Sequence, residues 1–167
     1  DANIYTMNNR AEAFWMKKGI LGDTVPLELN AKELVHRNNK NSELTVYGYT
    51  PMMVSVQCVQ KTMDHCNHAC VQYVLKDRYQ KEFRGVCSCE FCYNTIYNTL
   101  PTSLLKEKEK AEKLGVKAYR LSFTIETQQE TEKIVRAFVD VYLRGQKPDG
   151  QMQTEETTKG HFQRGVE

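Results

Sequence analysis

All six cysteines of the chain fall between positions 58 and 92. Cysteines that staple a small secreted fold are spread along it, so that each bridge ties distant loops together. Clustering in one stretch argues instead for soft thiolate ligands gathered around a metal. The first residues carry no basic segment followed by a long apolar one, so a reducing, cytoplasmic setting is expected. The spacing is Cys58-x7-Cys66-x3-Cys70, a gap of 16 residues, then Cys87-x-Cys89-x2-Cys92. Structural zinc sites usually show two compact C-x2-C pairs, and here Cys89 and Cys92 alone have that spacing. Open, irregular spacing favours an iron–sulfur cluster held among loops, with zinc as the alternative and free or paired thiols as a third reading. His65 and His68 flank Cys66, but histidines in a polar loop are more often simply solvated.

Around this segment the pattern is that of an α/β protein. The chain has 167 residues, 40% of them hydrophobic and 26% charged, enough for one domain with a core. A net charge of +2 is too small to imply a nucleic-acid or membrane partner by itself. No apolar run approaches the roughly 20 residues that span a bilayer.

Asn3–Met7, Val25–Leu29 and Leu44–Tyr47 read as strands. Asn9 with Glu12, and Asn30 with Glu33, are capping pairs for the helices between them. Strands alternating with helices predict parallel βαβ units over 1–57. Residues 58–101 have no clean helical period and read as a metal-organised loop with a hairpin around Val74–Phe83. Over 102–145, Thr102 or Ser103 caps a helix to about Leu114, and Tyr119, Leu121, Phe123 and Ile125 alternate as a half-buried strand. Thr127 with Glu130 then caps a helix to Leu143 whose apolar face is Ile134, Phe138, Val141 and Tyr142. Residues 146–167 form a polar tail.

Several short motifs occur in the order found in the U32 peptidase family of collagenase-like proteins. Glu43-x4-Gly48-x9-Cys58 resembles that family's signature. Leu75-Lys-Asp-Arg78 with Phe83, Cys92-Tyr-Asn-Thr-Ile-Tyr-Asn98, and Leu114-Gly-Val with Tyr119-Arg-Leu-Ser-Phe123 resemble later stretches. Pro26–Asn30 fits the preceding strand, and Gly160-His-Phe-Gln-Arg-Gly165 fits the tail. The resemblance covers nearly the whole chain, and it is the shared order that makes it specific.

It implies the C-terminal half of a (β/α)-barrel-like fold with a cysteine-rich metal-binding insertion. A full barrel takes about 250 residues, so the rest of the barrel is an implied partner outside this chain. The chain opens on Asp1, not Met, in keeping with a piece of a longer protein. The resemblance also implies a 4Fe–4S cluster on four cysteines. Beside the family's peptidase name it implies oxygen-independent hydroxylation, either of RNA with prephenate or of a quinone precursor. Two positions depart from the signature. Pro51 stands where a cysteine is expected, and Val56 replaces a glycine. Cys58, Cys66, Cys70 and Cys92 are therefore the expected ligands, with Cys87 as rival for the last place and Cys89 the least supported.

The enzymatic reading rests on fewer residues. No G-x-S-x-G or H-E-x-x-H motif is present, so no peptidase nucleophile or metal-bound water can be assigned. Arg78, Arg120, His161 and Arg164 are the candidate binders of an anionic substrate, RNA or peptide, since guanidinium forks suit carboxylates and phosphates. A non-catalytic, zinc-stabilised interaction domain is the alternative.

Overall fold

The computed structural model describes residues 1–64, 66–148 and 156–165. In chain order its elements are α1 (Asn9–Lys17), β1 (Asp23–Thr24), α2 (Ala31–Val35), β2 (Ser42–Gly48), β3 (Pro51–Ser55), α3 (Val59–Thr62), β4 (Gln72–Lys76), β5 (Glu82–Ser88), β6 (Tyr93–Tyr97), β7 (Thr102–Ser103), α4 (Lys108–Lys113), β8 (Ala118–Ser122) and α5 (Gln128–Phe138). The architecture is mixed α/β, with two sheets.

The first sheet is built on β2. β8 runs parallel along one edge of it, from Glu43↔Ala118 to Gly48↔Ser122. The other edge is shared by β1, parallel at Asp23↔Ser42, and by β7, antiparallel at Tyr47↔Ser103. Gly48 is needed where β8 comes close, because a Cβ there would lie 2.7 Å from the Ser122 carbonyl oxygen. Leu44 and Val46 of β2 join Val25, Leu34, Leu104, Leu105, Phe138 and Val141 in the core. Side chains of this size contribute about 1.5–3 kcal/mol each on full burial.

A polar knot lies beneath the start of β1 and β2. Asp23 is ion-paired to Arg37, with the two side chains 3% and 2% exposed. Its carboxylate also accepts from Thr6 and from the Ser42 hydroxyl, the latter at 2.5 Å. Arg37 donates further to the Thr6 carbonyl at 2.8 Å and to Asn39 Oδ1 at 2.9 Å. A buried pair tied in this way is stable only as a unit, since removing one partner strands the other's charge.

The second sheet is antiparallel throughout, in the order β3-β6-β5-β4, and consists wholly of residues between β2 and β7. It begins at Pro51, ahead of the first cysteine.

Several elements differ from the sequence reading, each for a local reason. Asn3–Met7 is not a strand: Ala2–Ile4 is a 3-10 turn capped by the Asp1 side chain, and Tyr5 takes a left-handed φ of 56°. The Val25–Leu29 strand is instead β1, two residues earlier. Pro26, lacking an N–H, cannot extend the ladder. Thr102 and Ser103 do not cap a helix. Both are taken up by pairing with β2, and α4 starts only at Lys108 after a 3-10 turn at Leu105–Glu107. The middle segment is a sheet rather than a loop with one hairpin, because β3 finds its partner β6 some 40 residues away. β4 and β5 are the expected hairpin.

Thr127 and Glu130 form the expected capping box on α5. A π-helical turn, Val139–Leu143, completes that segment. Ile134 and Tyr142 pack on the core beside Phe138 and Val141, as the apolar stripe predicts. Part of the polar tail lies outside the described residues, but 156–165 packs down. Thr158 bridges Thr102, and Phe162 enters the core at 6% exposure.

Candidate metal centre

The alternation of β5 sets the site. Gly85 and Cys87, two residues apart, face the same side of the second sheet. Across the ladders Gly85 pairs with Tyr73 of β4 and Cys87 with Asn94 of β6. The Tyr73 ring lies directly over Gly85, where a Cβ would fall 2.3 Å from its Cζ atom. Cys87 and Asn94 are fully buried. The turn from β3 into α3 brings Cys58 onto this face, and Asn94 Nδ2 holds that turn through the Gln57 carbonyl at 2.6 Å.

The thiols gather here. Cys58 Sγ is 3.5 Å from Cys87 Sγ, and Cys87 Sγ is 3.9 Å from Cys89 Sγ. All six cysteines are free. Backbone N–H of Lys61, then the Cys87 thiol, lower the Cys58 pKa against the opposing effect of burial. Burial first, then the Cys58 and Cys89 thiols, push Cys87 up to about 12. Burial also raises Cys89, and the charges of Cys66, Cys58 and Cys70 add to it while a bond with Cys87 opposes. Cys87 and Cys89, which burial above all keeps protonated, are thiols that a bound cation would deprotonate.

Of the expected ligands, Cys58 belongs to this group. Cys66 and Cys70 are exposed, and their charges work to raise the Cys89 pKa. Cys92 is exposed and turned away, its thiol 3.7 Å from the Cys89 carbonyl. The rival Cys87 is the residue brought against Cys58. Among the described residues no three His, Cys, Asp or Glu side chains are placed to hold a metal ion as they stand. The thiols are gathered without being closed around a common point. His65 lies outside the described residues, and His68 is exposed in a left-handed backbone conformation.

Two buried polar atoms next to the thiols, Tyr73 Oη and Asn94 Oδ1, have no hydrogen-bond partner among the described residues. A third, Gln60 Oε1, belongs to the residue two places after Cys58. Tyr73 feels Cys87 and Cys58 directly. Burial, then those two thiols, raise its pKa. Orphaned polar atoms around a donor set of sulfurs are what a site completed by a further group would show. Sequence reasoning missed Tyr73 and Asn94. The signal available was Gly85 inside a strand pattern, which marks a close approach.

The candidate substrate binders do not converge. Arg78 is exposed and stacks on Tyr79, its guanidinium carbon 4.7 Å from the ring centroid. Arg120 is half-buried and ion-paired with Glu43 and, at 3.4 Å, with Asp1. Arg164 is exposed. His161 lines a cleft of about 300 Å³ between the first sheet and the tail, with Thr45, Thr50, Asn98 and Lys159 among its polar walls. Its Nδ1 is 2.9 Å from the Gly165 carbonyl oxygen.

No protein-family model, curated protein or solved structure matches the chain. No helix among the described residues is long and apolar enough to cross a membrane.

Proposed function

We propose that this chain is the C-terminal part of a U32-peptidase-family protein whose cysteine-rich sheet holds a 4Fe–4S cluster, in a reducing, cytoplasmic setting. The observation that carries the reading is the approach of three thiols, with Cys87 Sγ 3.5 Å from Cys58 Sγ and 3.9 Å from Cys89 Sγ. Cys58, Cys66, Cys70 and Cys87 are the ligands we propose for it. Such a cluster supplies one-electron chemistry.

The parallel pairing of β1, β2 and β8 supports a fragment of a (β/α)-barrel, with the remaining strands supplied from outside this chain. The reaction it fits is oxygen-independent hydroxylation of an RNA base or a quinone precursor. A peptidase would need a nucleophile and base that the residues of the site do not supply as a pair.

Zinc is the second reading, and a specific observation favours it. A tetrahedral ion with Zn–S bonds of about 2.3 Å sets its sulfurs about 3.8 Å apart, close to the 3.5 and 3.9 Å found here. Cluster ligands each cap a different iron and stand wider apart. Purification without oxygen separates the two. A brown protein with about four irons per chain is the expected result. A colourless protein with one zinc per chain would replace the cluster with a structural ion and remove the redox chemistry. Hydrolysis of casein or gelatin by the purified protein, lost on a single substitution, would restore the peptidase reading.

A further inference from the structure

We propose that the metal-free chain carries a thiol–disulfide exchange site, in which Cys89 takes up an external small-molecule disulfide and passes the oxidation inward to a Cys58–Cys87 bridge. This concerns the thiols without metal and does not depend on which metal, if any, they bind.

Cys87 is in contact with both of the other sulfurs. Cys89 is half-exposed and 3.9 Å from Cys87, and Cys58 is 3.5 Å from Cys87. Cys87 and Cys58 are 0% and 5% exposed, so an external disulfide meets neither directly. A disulfide needs its sulfurs about 2.05 Å apart. The Cys58 and Cys87 sulfurs therefore close by about 1.5 Å, within the range of modest χ1 rotation. Cys92 is outside this set, its thiol 3.7 Å from the Cys89 carbonyl oxygen.

The exchange balances in three steps. The Cys89 thiolate attacks one sulfur of the external disulfide, RSSR, and expels RS⁻, leaving a mixed disulfide. Cys87 loses its proton as its sulfur attacks the Cys89 sulfur of that bond, and the second RS⁻ is expelled and takes up that proton. The Cys58 thiolate then attacks the Cys87 sulfur and releases Cys89 as thiolate. Two protein thiols have lost two electrons, RSSR has been reduced to two thiols, and the protons of Cys58 and Cys87 end on the two RS⁻. The new bridge ties the start of α3 to β5 across 29 positions.

The test uses the full chain, stripped with a chelator, incubated with oxidised glutathione and quenched in acid. Tandem mass spectrometry that resolves Cys87 from Cys89 and Cys92 then maps the linkages. The expected product is a Cys58–Cys87 link, reversed by reduced glutathione. It should form about tenfold more slowly in Cys89→Ser, which lacks the entry thiol, and at the wild-type rate in Cys92→Ser. A dominant Cys66–Cys70 or Cys89–Cys92 link, or glutathione adducts with no internal bridge, overturns the proposal. An unchanged rate in Cys89→Ser overturns it as well, because the inward relay is its content. Metal content measured on the same preparation before stripping keeps the two claims apart. A chain without metal that forms the bridge removes only the cluster reading, and a metal-binding chain that forms no bridge removes only this one.

Discussion

Single residues decide whether the thiols meet. Gly85 is the clearest case, because the Tyr73 ring occupies the space a side chain would need, with Cζ 2.3 Å and Oη 2.7 Å from the position of a Cβ. Gly85→Val must push Tyr73 off the sheet. Overpacking of this kind costs about 1–3 kcal/mol, measurable as a lower urea midpoint. On the proposed metal reading, the same variant should also lower metal content, since Tyr73 lies over Gly85, two residues before Cys87 on the same sheet face. Full metal content with reduced stability would show instead that Tyr73 is only a packing residue. At this scale the sequence was partly legible. Clustering marked the segment in which thiols approach one another, and the family resemblance singled out Cys58. Which of Cys87 and Cys92 faces the covered side could not be read from spacing, because it depends on register. Cys87 pairs with Asn94 and faces the covered side, whereas Cys92 sits in the turn before β6 with a φ of 52°.

Elements follow the same division between local and distant causes. Two of the three expected capping pairs were legible because they are local, whereas α1 is capped by Asn8 rather than Asn9 and the Glu12 carboxylate accepts from Asn38 Nδ2 instead. Asn30 with Glu33, and Thr127 with Glu130, both form reciprocal boxes. The β3–β6 pairing and the Asp23–Arg37 knot were not legible, since each depends on residues brought together by the fold. The box on α5 makes a pH-dependent prediction. The Thr127 backbone N–H, then its hydroxyl, hold the Glu130 carboxyl below its ordinary value, while slight burial opposes. A carboxyl depressed in the folded state adds stability above the unfolded value of about 4.3, and loses it as the pH falls through the lower folded value. Glu130→Gln should therefore flatten part of the loss of stability seen between about pH 5 and 3. Thr127→Ala should cost about 1 kcal/mol at neutral pH. Urea midpoints measured across that range test both, and an acid slope identical in Glu130→Gln and wild type would discard the assignment.

At the scale of the whole molecule, the tail is held to the first sheet by three unlike contacts. Phe162 is 6% exposed in the core, Thr158 bridges Thr102, and Lys159 pairs with Glu107. Polar composition hid this, because one aromatic in a polar stretch leaves no periodic signal. Burial works to raise the Glu107 pKa, but hydrogen bonds from Lys110 and then Lys159 outweigh it, and the net shift is downward. The Lys159 contact is thus complete above the ordinary glutamate range and weakens as the pH falls through the depressed value. Hydrogen exchange separates its effect from that of the apolar anchor. Glu107→Gln should lower the protection of 156–165, relative to the intrinsic exchange rate at each pH, at neutral pH to the level the wild type reaches only in acid. Phe162→Ala should release the same amides and also lower global stability, since truncating a buried aromatic costs about 3–5 kcal/mol when the site cannot collapse. The cleft lined by His161 and Lys159 is walled by this tail, so both variants should open it. Unchanged protection of 156–165 in both variants would mean that the tail is held by its backbone bridge to Thr102, and that the side-chain contacts only follow it.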